Sequence, residues 1–126
     1  MSKQNALNWF DLYVTDLIRA RAFYASILET ELDTPDGPDT GMEMAIFPFD
    51  YKNGIGGALV KKEGFGPGAG GTLIYLNVEG DLDGVLSRIP AAGGAVLQPR
   101  LSIGEHGFIA IFRDTEGNTV GLHSLS

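Results

Sequence analysis

The chain contains no cysteine. That excludes a disulfide framework, a thiolate nucleophile and zinc held through sulfur. Basic residues are few, 9 Lys and Arg against 16 Asp and Glu, for a net charge of −7. An acidic surface repels phosphate backbones, so nucleic acid is not an expected partner. No basic amphipathic stretch points to membrane binding, and no long apolar run follows the charged start. A signal peptide and a membrane-spanning helix are not expected, and the default location is the cytoplasm. Tryptophan occurs once, at Trp9. What is plentiful is glycine, 18 residues placed mostly between strand-like runs, which implies tight turns. A length of 126 residues suits one domain.

The most informative stretch is Phe112 to His123, which reads strand, tight turn, strand. Asp114, Gly117 and Asn118 supply the turn. Val120 and Leu122 then take one face of the outgoing strand, and Gly121 and His123 the other. At the other end of the chain, Leu7 to Thr15 alternates in the same way. Phe10, Leu12 and Val14 form an aliphatic-aromatic face; Trp9, Asp11 and Tyr13 form a mixed one. Asp16 is a good N-cap for a helix running to about Leu28, with Ala20, Phe23, Tyr24, Ile27 and Leu28 inward. Glu31 to Thr34 reads as a short strand, Pro35 to Asp39 as a loop, and Met42 to Phe49 with Ile55 to Val60 as a hairpin.

Glu63 to Gly71 is glycine-rich and reads as a flexible connector. It lacks the Gly-Lys-Ser/Thr ending of a phosphate-binding loop and leads into no helix. Beyond it the pattern repeats. Leu73 to Val78 alternates, Asp81 is placed to cap a helix carrying Leu82, Val85, Leu86 and Ile89, Pro90 should end or kink that helix, and Gly93-Gly94 closes it. Strands over Ala95–Leu101, Gly107–Arg113 and Thr119–Leu125 follow. Phe10 to Leu17 can be laid on Ile74 to Leu82 with one inserted residue. Each half therefore reads β-α-β-β-β: an α+β chain of two such modules, about 5–62 and 72–126, joined by the 63–71 linker in a single domain. The bare faces of two such units can come together as one curved mixed-sheet cup.

Those paired units, the junction Val14-Thr15-Asp16-Leu17 with Phe23-Tyr24 behind it, and the closing Asp114-Thr115-Glu116-Gly117-Asn118 turn resemble the vicinal oxygen chelate superfamily. That superfamily includes glyoxalase I, bleomycin-resistance proteins and extradiol dioxygenases. The resemblance implies a homodimer and, in many members, a divalent metal held by His or Glu from four central strands. Carried over by position, those ligands fall on Trp9, on or beside Leu73, on Gly121 and within Gly56–Val60, none of which offers a ligand side chain. No metal site and no cofactor are expected, although a divalent ion on atypical ligands such as Glu105, His106 and His123 stays open.

What the resemblance leaves is a cup with an aromatic floor. Trp9, Tyr13, Tyr75 and Asn77 are its candidate ligand-binding residues, since aromatic walls with a few polar handles suit small organic molecules. His106, in the turn-like Ile103–Gly107, would lie at the cup mouth. Asp11 and His123 share the cup face, and a carboxylate beside an imidazole is an acid–base pair. Three functions follow: binding of a small organic molecule without a metal, a glyoxalase-related lyase or isomerase using Asp11 or His123, or a metal-dependent lyase or dioxygenase on the atypical ligands.

Overall fold

The computed structural model describes residues 5–35 and 42–126. The first half runs β1 (Trp9–Tyr13), α1 (Leu17–Leu28), β2 (Met42–Ile46) and β3 (Gly56–Lys62). The second runs β4 (Tyr75–Asn77), α2 (Leu82–Ala92), β5 (Ala95–Ser102), a single 3-10 turn over Gly104–His106, β6 (Phe108–Arg113) and β7 (Thr119–Ser124). The strands form two mixed sheets, ordered β1-β3-β2 and β4-β7-β6-β5. In each half the first strand lies parallel to the last, and the last is antiparallel to the strand before it. The duplicated α+β pattern is therefore folded twice, with a helix against one face of each sheet.

Several local expectations shift. The strand expected over Glu31–Thr34 contracts to one bridge, Asp33 with Ile46. Asp36–Asp39 of the following loop lies outside the described residues. The strand expected over Leu73–Val78 shortens to Tyr75–Asn77, because β4 pairs with β7 along one side and has no ladder on its other edge among the described residues. Asp16 does cap α1, accepting from the Arg19 N–H at 3.0 Å. Asp81 does not cap α2; its carboxylate turns to Arg88, 2.6 Å away. α2 also continues through Pro90 to Ala92. Proline so near a helix end removes one bond from the last turn, and Gly93, at φ 108°, supplies the left-handed residue that stops the helix.

The two halves share one core. Phe10 and Leu12 of β1 and Val14 just after it point inward, as their alternation predicts, and share one core cluster with Leu76, Val78, Phe112, Val120 and Leu122 of the second half. Phe23 and Tyr24 of α1 cross to Phe112 of β6, with ring centroids 6.0 and 6.2 Å apart. Burial of each such ring contributes about 1.5–3 kcal/mol.

A polar latch fixes how the halves meet. The turn between β6 and β7 docks on the β1–α1 junction. Asn118 Nδ2 donates to the Tyr13 carbonyl at 2.8 Å. The Glu116 carboxylate accepts from the backbone N–H groups of Thr15 and Asp16 at 3.0 and 2.8 Å and from Arg19 Nε at 2.7 Å. Asp114, buried, accepts from the Tyr24 hydroxyl at 2.8 Å. A carboxylate against free N–H groups at a helix N-terminus is favoured by both hydrogen bonding and the helix dipole. The linker joins this latch, contrary to its reading as a free connector. Gly68 N–H donates to Asn118 Oδ1 at 3.0 Å, and Phe65 stacks on Tyr13 with centroids 5.0 Å apart.

Candidate functional site

A cleft of about 1010 Å³ lies between β1 and β4, each the edge strand of its own sheet. The first half contributes Phe10, Phe47 and Phe49 to its walls, and the second Tyr75, Leu76 and Val85. Asp11, Asn77, Glu79 and Asp81 are among its polar groups. Phe10 belongs to the core face of β1 and Asp11 to the opposite face, so the cleft passes the strand edge and reaches both sides of the sheet.

Glycines in the central strands seat the aromatic walls. Phe10 lies beside its register partner Gly57, Phe49 against Gly56, and Tyr75 beside its register partner Gly121. A Cβ at any of the three would run into the ring facing it. Backbone without a side chain lets each ring lie close to the strand.

The expected site residues separate into two groups. Asp11, Tyr75 and Asn77 line the cleft. Asp11 accepts from the Trp9 indole Nε1 at 2.9 Å, and Asn77 Oδ1 accepts from the Glu79 N–H at 3.0 Å. Trp9 and Tyr13 share the face of Asp11 but do not line the cleft; Trp9 packs edge-on against Phe49 at 5.7 Å, and Tyr13 is covered by Phe65. His123 sits opposite Asn77 in the β4–β7 register, yet its Nε2 lies 2.8 Å from the carbonyl of His106 and the ring stays outside the cleft lining. The His106 side chain is exposed, and it is its carbonyl that engages His123. Among the described residues no hydrogen bond or ion pair joins Asp11 to His123; the first is bonded to Trp9, the second to the His106 carbonyl. Glu79, on the cleft wall, is fastened by the Leu125 N–H at 2.7 Å, which holds its carboxyl below the usual range.

Phe10 and Glu79 were not legible as wall residues. Phe10 carries the alternation of a core strand, and Glu79 follows the strand in what reads as a connection. The signal that was there is the Gly56-Gly57 pair in β3, opposite Trp9 and Phe10.

The family model of the Glyoxalase/Bleomycin resistance protein/Dioxygenase superfamily matches residues 6–122. The chain belongs to this superfamily. A curated relative, CFP32 of Mycobacterium tuberculosis, with glyoxylase in its name, is 30% identical over 123 residues. That match takes in 95% of this chain and 46% of the relative, so the chain spans about half the length of the curated relatives it matches. Among solved structures, a glyoxylase/bleomycin resistance protein/dioxygenase domain from Frankia sp. EAN1pec superposes with a TM-score of 0.69 at 23% identity, covering 97% of this chain and 93% of that one. The fosfomycin resistance protein FosX from Listeria monocytogenes superposes with a TM-score of 0.65 at 18% identity, covering 97% and 92%. At these identities the two structures speak to the fold.

For this superfamily member the residues present do not fit the metal that the resemblance implies. Trp9 stands opposite Gly56, and Gly121 lies against the Tyr75 ring. Indole and bare backbone are not ligands for a divalent cation. Among the described residues no three His, Cys, Asp or Glu side chains group to hold an ion. Of the atypical set, the Glu105 and His106 side chains lie 3.9 Å apart and exposed in the 3-10 turn, while His123 Nε2 meets the His106 carbonyl. No helix among the described residues is long and apolar enough to cross a membrane.

Proposed function

We propose that this superfamily member binds a small organic molecule in the cleft between its two halves, without a resident metal. The observation that carries the reading is the cleft itself: about 1010 Å³, with aromatic walls from both halves and a few polar groups at fixed positions. That is the size and chemistry of a small-molecule site. The exposed apolar residues Leu7, Ile55, Leu73 and Tyr75 at the cleft, with Trp9 beside it, support the homodimer that the family resemblance implies, with the second copy shielding the rim.

Tyr75→Ala tests the site. Tyr75 is half exposed and lies over Gly121, so its removal takes away a wall with little cost to the core. The variant is expected to fold with an unchanged urea midpoint and to bind an aromatic ligand roughly tenfold more weakly, the loss of one well-packed ring contact. Calorimetric titration reads it, and unchanged affinity would remove Tyr75 from the site.

A second reading, a glyoxalase-related lyase or isomerase, is supported by Asp11 lining the cleft and by the glyoxylase name of the mycobacterial relative. In that reading Asp11 is the base, held in place by the Trp9 indole. His123 has no comparable support. Asp11→Asn should abolish any turnover found, while His123→Ala, made in parallel, decides whether the imidazole takes part.

A further inference from the structure

We infer that the ligand of the cleft joins an apolar ring system to a positive charge. This rests on the binding role proposed above and narrows its chemistry. The charged residues of the lining are Asp11, Glu79 and Asp81; among the described residues no Lys, Arg or His lines the cleft. Asp81 is neutralised by Arg88 at 2.6 Å. Glu79 accepts from the Leu125 N–H and the Ser126 hydroxyl, and the nearby His123 imidazole, outside the lining, also favours its charged form. Asp11 accepts from the neutral Trp9 indole. Asp11 is therefore left without a balancing cation among the described residues, and with Glu79 it gives the largely apolar walls of the cleft a field of one sign. The remaining walls present Phe49 and Tyr75, whose ring faces attract cations as well as apolar groups. A carboxylate or phosphonate ligand would meet like charge here, with no cationic group among the described lining residues to receive it. An ammonium attached to a ring system would meet a carboxylate and an aromatic face together.

The test is a set of nuclear magnetic resonance titrations with three probes of one shape: naphthylmethylammonium, naphthalenemethanol and naphthoate. Backbone amide shifts give both affinity and place. At low salt the ammonium should bind at least about tenfold more tightly than the naphthoate, with the alcohol between them and the gap narrowing as salt is added. The shifts should centre on Gly56, Gly57 and Tyr75. Asp11→Asn keeps an acceptor for the Trp9 indole and should narrow the gap. Asp83→Asn removes the same charge from a residue outside the lining and should leave the gap as it was. Equal binding of all three probes, shifts centred elsewhere, or equal effects of the two variants would overturn the assignment of a cation while leaving a binding cleft. If none of the three binds, the binding role itself falls.

Discussion

Asp114→Ala is expected to cost about 3–5 kcal/mol, the scale of breaking a buried charged hydrogen-bond network. Asp114 lies in the turn that docks the second half on the first, and it is 3% exposed. Its carboxylate accepts from the Tyr24 hydroxyl at 2.8 Å, the Glu116 N–H at 2.8 Å, the Asn118 N–H at 2.9 Å and Asn118 Nδ2 at 3.3 Å. Alanine would strand the Tyr24 hydroxyl, which has no access to water, and release the backbone that shapes the turn. Burial, and then the neighbouring Asp114 charge, already push the Tyr24 phenol well above its ordinary value, so it stays a donor throughout the useful pH range. A domain has about 5–15 kcal/mol in total, so the loss would bring the variant near its unfolding threshold. Asp114→Asn keeps one carbonyl oxygen for the two backbone donors and should lose distinctly less. Urea denaturation followed by Trp9 fluorescence measures both. A midpoint for Asp114→Ala within error of the parent would show that the latch does not hold the halves together.

The second large effect is a stability that fades in acid. Burial alone would raise the Glu116 carboxyl, but the Arg19 guanidinium and then the Asp16 N–H, the Thr115 hydroxyl and the Thr15 N–H outweigh it and bring it from 4.5 to about 2. The folded value is depressed below the unfolded one. Its contribution is therefore fully present above pH 4.5 and is lost as pH falls toward 2. The depression corresponds to about 3 kcal/mol. Arg19 is half exposed, and salt will screen its share, whereas the Glu116 side chain is fully shielded and keeps its backbone bonds. Glu116→Gln should be about 3 kcal/mol less stable than the parent at neutral pH, with the difference narrowing through the acid window. A difference that stays constant between pH 4.5 and 2 would contradict the assignment. Because the Glu116 N–H itself bonds Asp114, the two substitutions should couple rather than add.

Both effects arise in a stretch whose shape, though not its partners, can be read from sequence. Asp114, Gly117 and Asn118 announce a turn by residue type, and alternation in Phe10–Val14 and Val120–Leu122 announces which faces are buried. These signals are local, and the two sheets follow them. What the turn touches is separated from it by about a hundred positions, as in the Thr15 and Asp16 bonds to Glu116, and no spacing rule reports such a contact. The same limit applies to the site. Strand alternation places Asp11, Tyr75 and Asn77 on the open face, and all three line the cleft. Tyr13 was placed there by the same logic, but Phe65 from the linker covers it. His123 is likewise on the right face, yet a carbonyl from the 3-10 turn takes up its ring nitrogen. Alternation does not place Phe10 at the cleft, because a cleft at a sheet edge collects residues from both faces, which a period of two assigns to core or surface alone.

Native mass spectrometry most directly tests whether this fold has kept a binding cleft without a metal centre. The protein would be purified, incubated with zinc and manganese, desalted, and then offered naphthylmethylammonium, naphthalenemethanol and naphthoate in turn. The account predicts one organic adduct per chain and no stoichiometric metal. A divalent ion retained on every chain, or a chain that takes up no organic probe, would contradict it.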